Sequence, residues 1–268
     1  MTYNSVELEL FAKISYIIDK IVVQSMRGVL MKTNTRISYV ILKYDDQTDR
    51  VFTKTQNNGT QVYEAPGFDF VQKSDSTFAD IKEYVLNKMI DFDTKINENH
   101  VFIPLVNVTI ENGMTFYNYT AIIFESNQTT FSSMNFESWH RVKYNRARQT
   151  WNLTWGSGLT DPVDYIFKNV AINDYAPDPK DSDEVLFSNV MHFIAEQTKE
   201  FPILGLMSGE KFTMKQVLHY QDLLGIEALK AGNNATFENQ YSDSIQPIND
   251  NRITTSYKIK PDYLKNNL

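Results

Sequence analysis

Residues 201–225 read FPILGLMSGEKFTMKQVLHYQDLLG, and this stretch predicts one helix with a start and a stop. Thr213 suits an N-cap, Gln216 three residues on completes a capping box, and Gly225 supplies the left-handed residue that ends a helix. Between them Met214, Val217, Leu218, Gln221 and Leu224 form a stripe at helical spacing, widened by Tyr220 and Leu223. Such a helix packs on something. A second short helix is expected from Asn233 or Asn234, carrying Phe237 and Tyr241 four apart, and residues 245–259 alternate as a hairpin around Asn249-Asp250-Asn251. Helix, helix, two-stranded wing is the order of a winged helix-turn-helix.

Upstream, Ile37-Ser38-Tyr39-Val40-Ile41-Leu42 reads as a strand and Val51-Phe52-Thr53 as another. A helix is expected from Ser76 or Thr77 through Ala79, Ile81, Tyr84, Val85 and Met89, followed by strands over residues 101–108 and 115–124. With Tyr63-Glu64-Ala65-Pro66-Gly67 before the helix, and Phe201-Pro202-Ile203, Phe212-Thr213-Met214, Tyr220, Leu223-Leu224-Gly225, Phe237, Arg252 and Tyr257-Lys258-Ile259 after it, the chain resembles the Nudix-related transcriptional regulators. Those bacterial proteins join a Nudix-like ligand domain to a C-terminal winged helix, and the best-known members sense ADP-ribose and control NAD metabolism. Tyr63 to Gly67 is similar to the W-x-L-P-G entry of the Nudix loop. The resemblance covers most of residues 35–268, strongly in the last third and loosely before it.

This resemblance implies an α+β protein, a Nudix-like α/β/α sandwich with a mixed sheet followed by a C-terminal winged helix-turn-helix domain. The corresponding division is an N-terminal amphipathic helix in 1–34, a Nudix-like domain in 35–175, a linker and connecting helix in 176–200, and the winged-helix domain in 201–268. Asp174 to Glu184, with Pro177 and Pro179, carries the linker signal, and residues 183–200 the connecting helix.

The chain departs from the family where catalysis would sit. A Nudix box needs an R-E-x-x-E-E helix whose glutamates gather divalent metal against a pyrophosphate. Here the helix reads Lys82-Glu83-Tyr84-Val85-Leu86-Asn87-Lys88. With Glu83 as the first glutamate the other two positions are Leu86 and Asn87; with Val85 at the buried position the three are Tyr84, Asn87 and Lys88. Neither register offers the oxygen ligands that Mg²⁺ requires. The second glycine of the family's P-G-G is Phe68, which blocks close backbone approach. No catalytic residue and no metal ligand is therefore expected, and Mg²⁺ enters only under a hydrolase reading.

Composition fits such a protein. The 268 residues allow about two domains of ~100–200 residues each, and 42% hydrophobic content is ample for packed cores. No apolar run approaches the ~18 residues of a membrane span, and the first residues show no basic region followed by an apolar stretch, so a cytoplasmic protein without membrane contact is expected. The absence of cysteine excludes disulfides, thiolate chemistry and cysteine-ligated zinc. Six N-x-S/T sequons, at Asn58, Asn107, Asn118, Asn127, Asn152 and Asn234, follow from an Asn- and Thr-rich composition. His100, His140, His192 and His219 show no ligand spacing, and no G-x-S-x-G elbow is present.

Ahead of the first strand, Ser5 could cap a helix to about Gln24 whose face carries Leu10, Phe11, Ile14, Ile17, Ile18, Ile21 and Val22. It packs either on the chain's own domains or, since the family acts as symmetric dimers, on a second copy. Residues 139–151 hold Arg141, Lys143, Arg146 and Arg148 among aromatics in a chain of net charge −7. They either grip a phosphate or form a twisted strand pair with solvated basic side chains. A nucleotide-sugar or sugar-type effector would sit near Pro66, Gly67 and Phe68 with Arg141, Lys143, Arg146 or Arg148 on its phosphates.

Double-stranded DNA would be met by the second helix, where Asn239 and Gln240 can hydrogen-bond adenine edges, with Lys230, Arg252, Lys258 and Lys260 on phosphates. That helix carries Glu238 as its only charge, and residues 201–268 balance seven Lys or Arg against seven Asp or Glu. Three readings stay open: a ligand-responsive homodimeric regulator with an inactive Nudix-like sensor; a hydrolase of nucleoside diphosphate derivatives such as ADP-ribose; and a binding or interaction protein that has lost DNA binding.

Overall fold

The computed structural model describes residues 34–55, 67–71, 78–90, 98–111, 114–125, 139–155, 165–168, 182–226, 232–248 and 254–266. The expected N-terminal helix lies outside them, as do Pro66, Lys230 and Arg252.

The first strand organises the sheet. β1 (Asn34–Asp45) pairs in parallel with β5 (Met114–Glu125) along nearly its whole length. On its other edge it pairs with β3 (Gly67–Val71) over Asn34 to Ser38 and with β2 (Arg50–Lys54) over Leu42 to Asp45, both antiparallel. With β4 (Val101–Glu111), β6 (Trp139–Asn145), β7 (Thr150–Trp155) and β8 (Tyr165–Lys168), the order is β4-β5-β1-β2-β6-β7-β8, with β3 off that path. The mixed sheet and the α+β class are those expected. Residues 139–155 form the hairpin β6–β7.

Strand residues alternate between faces, and here both faces are covered. Ile37, Tyr39 and Ile41 join Ala121, Ile123, Val101 and Phe52 in a core under α1 (Phe78–Ile90), which contributes Ile81 and Val85. Val40 and Leu42 point the other way, to Ile122, Phe124, Val51, Val142, Trp151 and Leu153. α2 (Ser182–Glu200) covers that second face with Phe187, Val190, Met191 and Ile194. The same core continues past residue 200 through Phe201, Ile203, Leu204, Leu206 and Met207 into the C-terminal segment.

That segment has the element order read from the sequence. A buried 3-10 helix (Ile203–Ser208) leads to α3 (Met214–Leu224), then α4 (Asn234–Gln240), the hairpin β9 (Ile245–Ile248) and β10 (Ser256–Ile259), and α5 (Pro261–Asn266). Both halves of the capping box form: the Gln216 N–H donates to Thr213 Oγ1 at 3.3 Å, and the Thr213 N–H donates to Gln216 Oε1 at 2.8 Å. Gly225 closes α3 at φ 69°, ψ 26°. Asn233 caps α4, accepting from the Thr236 N–H at 2.9 Å. The strand-like residue Phe212 exchanges two backbone hydrogen bonds with Tyr257, so the segment before α3 lies along β10. Tyr241 donates its hydroxyl to Thr198 O at 2.5 Å, tying α4 back to α2.

Candidate functional site

Two assemblies carry chemistry: a cationic strip on one face of the sheet, and a clasp between the sheet's hairpin tips and α3.

The strip follows from alternation. In β2, Arg50, Phe52 and Lys54 share the α1 side; in β6, Trp139, Arg141 and Lys143 do. Register sets Lys43, Phe52, Arg141 and Thr154 in one row across β1, β2, β6 and β7, with Asp45 and Arg50 paired in the next. Lys43 is fully buried; its Nζ donates to Glu125 Oε1 at 2.8 Å and lies 6.0 Å from the centre of the Trp139 ring. The other Glu125 oxygen, Oε2, is buried without a hydrogen-bond partner. Burial lowers the pKa of Lys54, against a smaller opposing effect of Glu125. Burial, then repulsion from Arg50, lowers that of Arg141. Like charges held together and partly desolvated make a place where an anion is favoured. Phe52 and Trp139, both buried, lie between them.

The sequence reading placed four cations of residues 139–151 together, and the structure divides them. Arg141 and Lys143 lie on the strip. Arg146 and Arg148 occupy the β6–β7 turn, and the Arg146 Nη2 donates to Asp222 Oδ1 on α3. Gly67 opens β3 opposite Ser38, five residues along β1 from the Lys43 row, or about 17 Å. A Cβ at Gly67 would stand 2.7 Å from Ile37 O. Phe68 pairs with Ile37. Arg50, Lys54 and Lys43 were missed by the sequence reading; the period of two in Arg50-Val51-Phe52-Thr53-Lys54 is the signal that finds the first two.

α1 turns Ile81 and Val85 to the sheet and leaves Glu83 and Asn87 exposed. Val85 is fully buried, with Tyr84 and Leu86 partly buried against the same core, the burial expected of the register that aligns Tyr84, Asn87 and Lys88 with the glutamates of the box. Among the described residues no group of three or more His, Asp or Glu could hold a metal ion.

The clasp is built from two matching turns. Asp46–Asp49 and Arg146–Gln149 each span four residues between paired ends, Asp45 with Arg50 and Asn145 with Thr150. Each is capped by the residue before it: Asp45 Oδ1 accepts from the Gln47 N–H, and Asn145 Oδ1 from the Ala147 and Arg148 N–H groups. Each ends on a non-glycine residue at positive φ, Asp49 at 54° and Gln149 at 51°. Because β2 and β6 are antiparallel neighbours, both tips emerge at one end of the sheet and meet the second half of α3. Asp49 Oδ1 lies 2.5 Å from His219 Nε2 and accepts from the Tyr44 hydroxyl at 2.8 Å; its pKa is lowered, chiefly by the His219 hydrogen bond. The Tyr44 and Tyr220 rings sit 4.7 Å apart. Trp151 Nε1 donates to Leu224 O at 2.8 Å, and the Tyr144 ring lies flush against Gly225.

Of the residues proposed for DNA, Asn239 and Gln240 are exposed on α4. Glu238, the one charge there, accepts from the Tyr257 hydroxyl at 2.8 Å. Lys258 is exposed on β10, and Lys260 Nζ donates to Ser242 O at 2.7 Å. Lys211, three residues before α3, and Lys215, within its capping box, are both exposed and were left out of the sequence reading.

No protein-family model and no curated protein matches the chain. Among solved structures it is similar to a MutT/nudix family protein from Enterococcus faecalis, with a TM-score of 0.60 and 12% identity over 85% of this chain and 88% of that one. The chain has a Nudix-like fold. Shewanella oneidensis NrtR superposes with a TM-score of 0.49 and 15% identity over 85% of this chain and 94% of that one. NrtR complexed with a 27mer DNA gives 0.48 and 12% over 86% and 95%. In this Nudix-like chain no described helix is long and apolar enough to cross a membrane.

Proposed function

We propose that this chain is a ligand-responsive, DNA-binding regulator in which an anionic effector on the sheet biases the C-terminal unit. The observation that carries the reading is adjacency along two strands. Lys143 faces the strip while its neighbour Tyr144 seats the end of α3, and Arg50 faces the strip while its neighbour Asp49 holds His219. A ligand that draws in the cations therefore pulls on the two strand ends that grip the helix preceding α4. It shifts the equilibrium only by its differential affinity for the two arrangements.

In this reading α4 enters the major groove with Asn239 and Gln240, and Lys211, Lys215 and Lys258 contact phosphates. The effector is a nucleotide sugar or related anion, its phosphates on Arg141, Lys143, Arg50 and Lys54, and the acting species is a homodimer. α1, with Tyr84 and Asn87 at glutamate positions, supports a binding role for the Nudix-like unit over hydrolysis. The uncharged exposed face of α4 favours a second reading, a binding protein whose C-terminal unit is structural.

Fluorescence anisotropy on DNA from the gene's own upstream region, against a scrambled duplex at two salt concentrations, separates these. Sequence-dependent binding with a steep salt slope, relieved by effector, supports the regulator. Equal or absent binding on both duplexes removes it, and Mg²⁺-dependent release of AMP from ADP-ribose would restore the hydrolase.

A further inference from the structure

The two tips of the clasp grip α3 with different cations. At the β6–β7 tip the grip is an ion pair between Arg146 and Asp222, and a guanidinium keeps its charge throughout the physiological range. At the β1–β2 tip the cation is an imidazole, with His219 Nε2 2.5 Å from Asp49 Oδ1. Histidine is the side chain whose charge changes between about pH 5 and 8. One grip is therefore fixed and the other titrates.

The titrating grip is built from several groups. Asp49 Oδ1 also accepts from the Tyr44 hydroxyl at 2.8 Å, which steadies the carboxylate beside the ring. The Tyr44 ring meets His219 edge-on at 6.1 Å and lies 4.7 Å from that of Tyr220, whose hydroxyl shares a hydrogen bond with Ser208. The hydrogen bond with His219 is the largest of the effects that hold the Asp49 carboxyl below its usual range. Among the described residues the other charges near the ring are Asp46 on the same tip, Lys215 and Asp222 about one turn away on either side along α3, and Arg146 beside Asp222. The 3-10 helix packed on α3 carries no charged residue, and β2 and β6 turn Arg50, Arg141 and Lys143 to the α1 side of the sheet.

We propose that the His219–Asp49 contact is a proton-controlled latch between the sheet and α3, tight when the imidazole is charged and looser when it is neutral. A neutral imidazole still donates one N–H to Asp49 in one of its two tautomers, but a charge-assisted bond is roughly twice as strong as a neutral one. The side chains are 40% and 60% exposed, so water screens the pair and the latch changes the frequency of opening by about fivefold at most. With the latch loose, α3 is still held at its C-terminal end by Arg146 on Asp222, Trp151 on Leu224 and the Tyr144 ring at Gly225. The freedom gained falls on the β1–β2 tip and the middle of α3. The latch depends neither on DNA binding nor on the anionic effector.

The test is amide hydrogen exchange of the full chain, read by mass spectrometry at about pH 5.5 and pH 8 and corrected for the intrinsic pH dependence of exchange. Protection of peptides spanning 44–52 and 213–221 should be about three- to fivefold higher at the lower pH, while that of 144–151 stays level. Asp49→Asn keeps an acceptor for Tyr44 and suits the same positive φ, but removes the charge, so it should abolish the difference. His219→Gln should do the same. Equal protection at the two pH values in the native protein, or a difference that persists in either folded variant, overturns the proposal.

Discussion

Replacing Gly225 with alanine tests the clasp at its tightest point. At φ 69° a Cβ meets the carbonyl oxygen of its own residue, which costs about 1–2 kcal/mol. The same Cβ would lie 2.0 Å from Cδ1 of Tyr144, closer than any van der Waals contact allows, and the ring also packs against Trp151, 5.4 Å away between centroids. Overpacking of this kind costs about 1–3 kcal/mol, so Gly225→Ala should destabilise the chain by about 2–5 kcal/mol. Urea unfolding at 25 °C followed by tryptophan fluorescence reads it directly, since Trp151 is bonded to Leu224. The two causes separate in a double-mutant cycle with Tyr144→Ala: with the ring gone only the backbone strain should remain, leaving a coupling of about 1–3 kcal/mol. An equal cost of Gly225→Ala in both backgrounds would refute the docking of α3 on this hairpin.

Other consequences follow from single groups. Burial pushes the His140 imidazole down to about 4 from its ordinary 6.5, so protonation favours the unfolded chain. Stability should be intact above pH 6.5 and fall by about 3 kcal/mol as the pH drops to 4, and in His140→Gln that part of the slope should vanish in urea titrations. Thr213→Ala removes the capping box and should cost about 1 kcal/mol in the same assay, with Thr213→Ser close to wild type. Removing one partner of the buried Lys43–Glu125 pair, by Glu125→Gln or Lys43→Met, should cost about 3–5 kcal/mol, and the double variant less than the sum. If the chain binds its upstream DNA, Lys215→Ala should lower the salt slope by about one and weaken specific and scrambled duplexes alike.

What was legible in the sequence was local. Thr213, Gln216 and Gly225 act within one helix, and their side-chain and backbone chemistry fixes its ends whatever surrounds it. Ile37 to Leu42 read as a strand because both of its faces are buried, which a continuous apolar run records. The strip and the clasp depend on strand register, and single-sequence periodicity does not say that Phe52 lies opposite Arg141 or that two turns a hundred residues apart meet one helix. Residues 139–151 show the limit: four cations close in sequence read as one group, yet strand alternation sends Arg141 and Lys143 to the sheet face and the turn sends Arg146 to Asp222. Asp222 could not be paired with Arg146 from sequence, because nothing local connects them.

The adjacency of strip and clasp makes a quantitative demand on the regulator reading. Couplings between two ligand sites are commonly about 1–3 kcal/mol, a change of roughly 5–150-fold in affinity. Lys143 and Tyr144 share a peptide unit, so a sub-ångström shift of β6 moves both, while the continuous core under α3 resists a graded deformation and favours two discrete arrangements. If the effector weakens DNA binding by a given factor, DNA must weaken effector binding by the same factor. Measuring both legs on one preparation tests this without knowing the target gene's role. Unequal factors would mean that a further process, such as a change of oligomeric state, separates the two measurements. Equal factors that collapse to one in Tyr144→Ala, with effector affinity retained, would locate the coupling in the hairpin that seats α3.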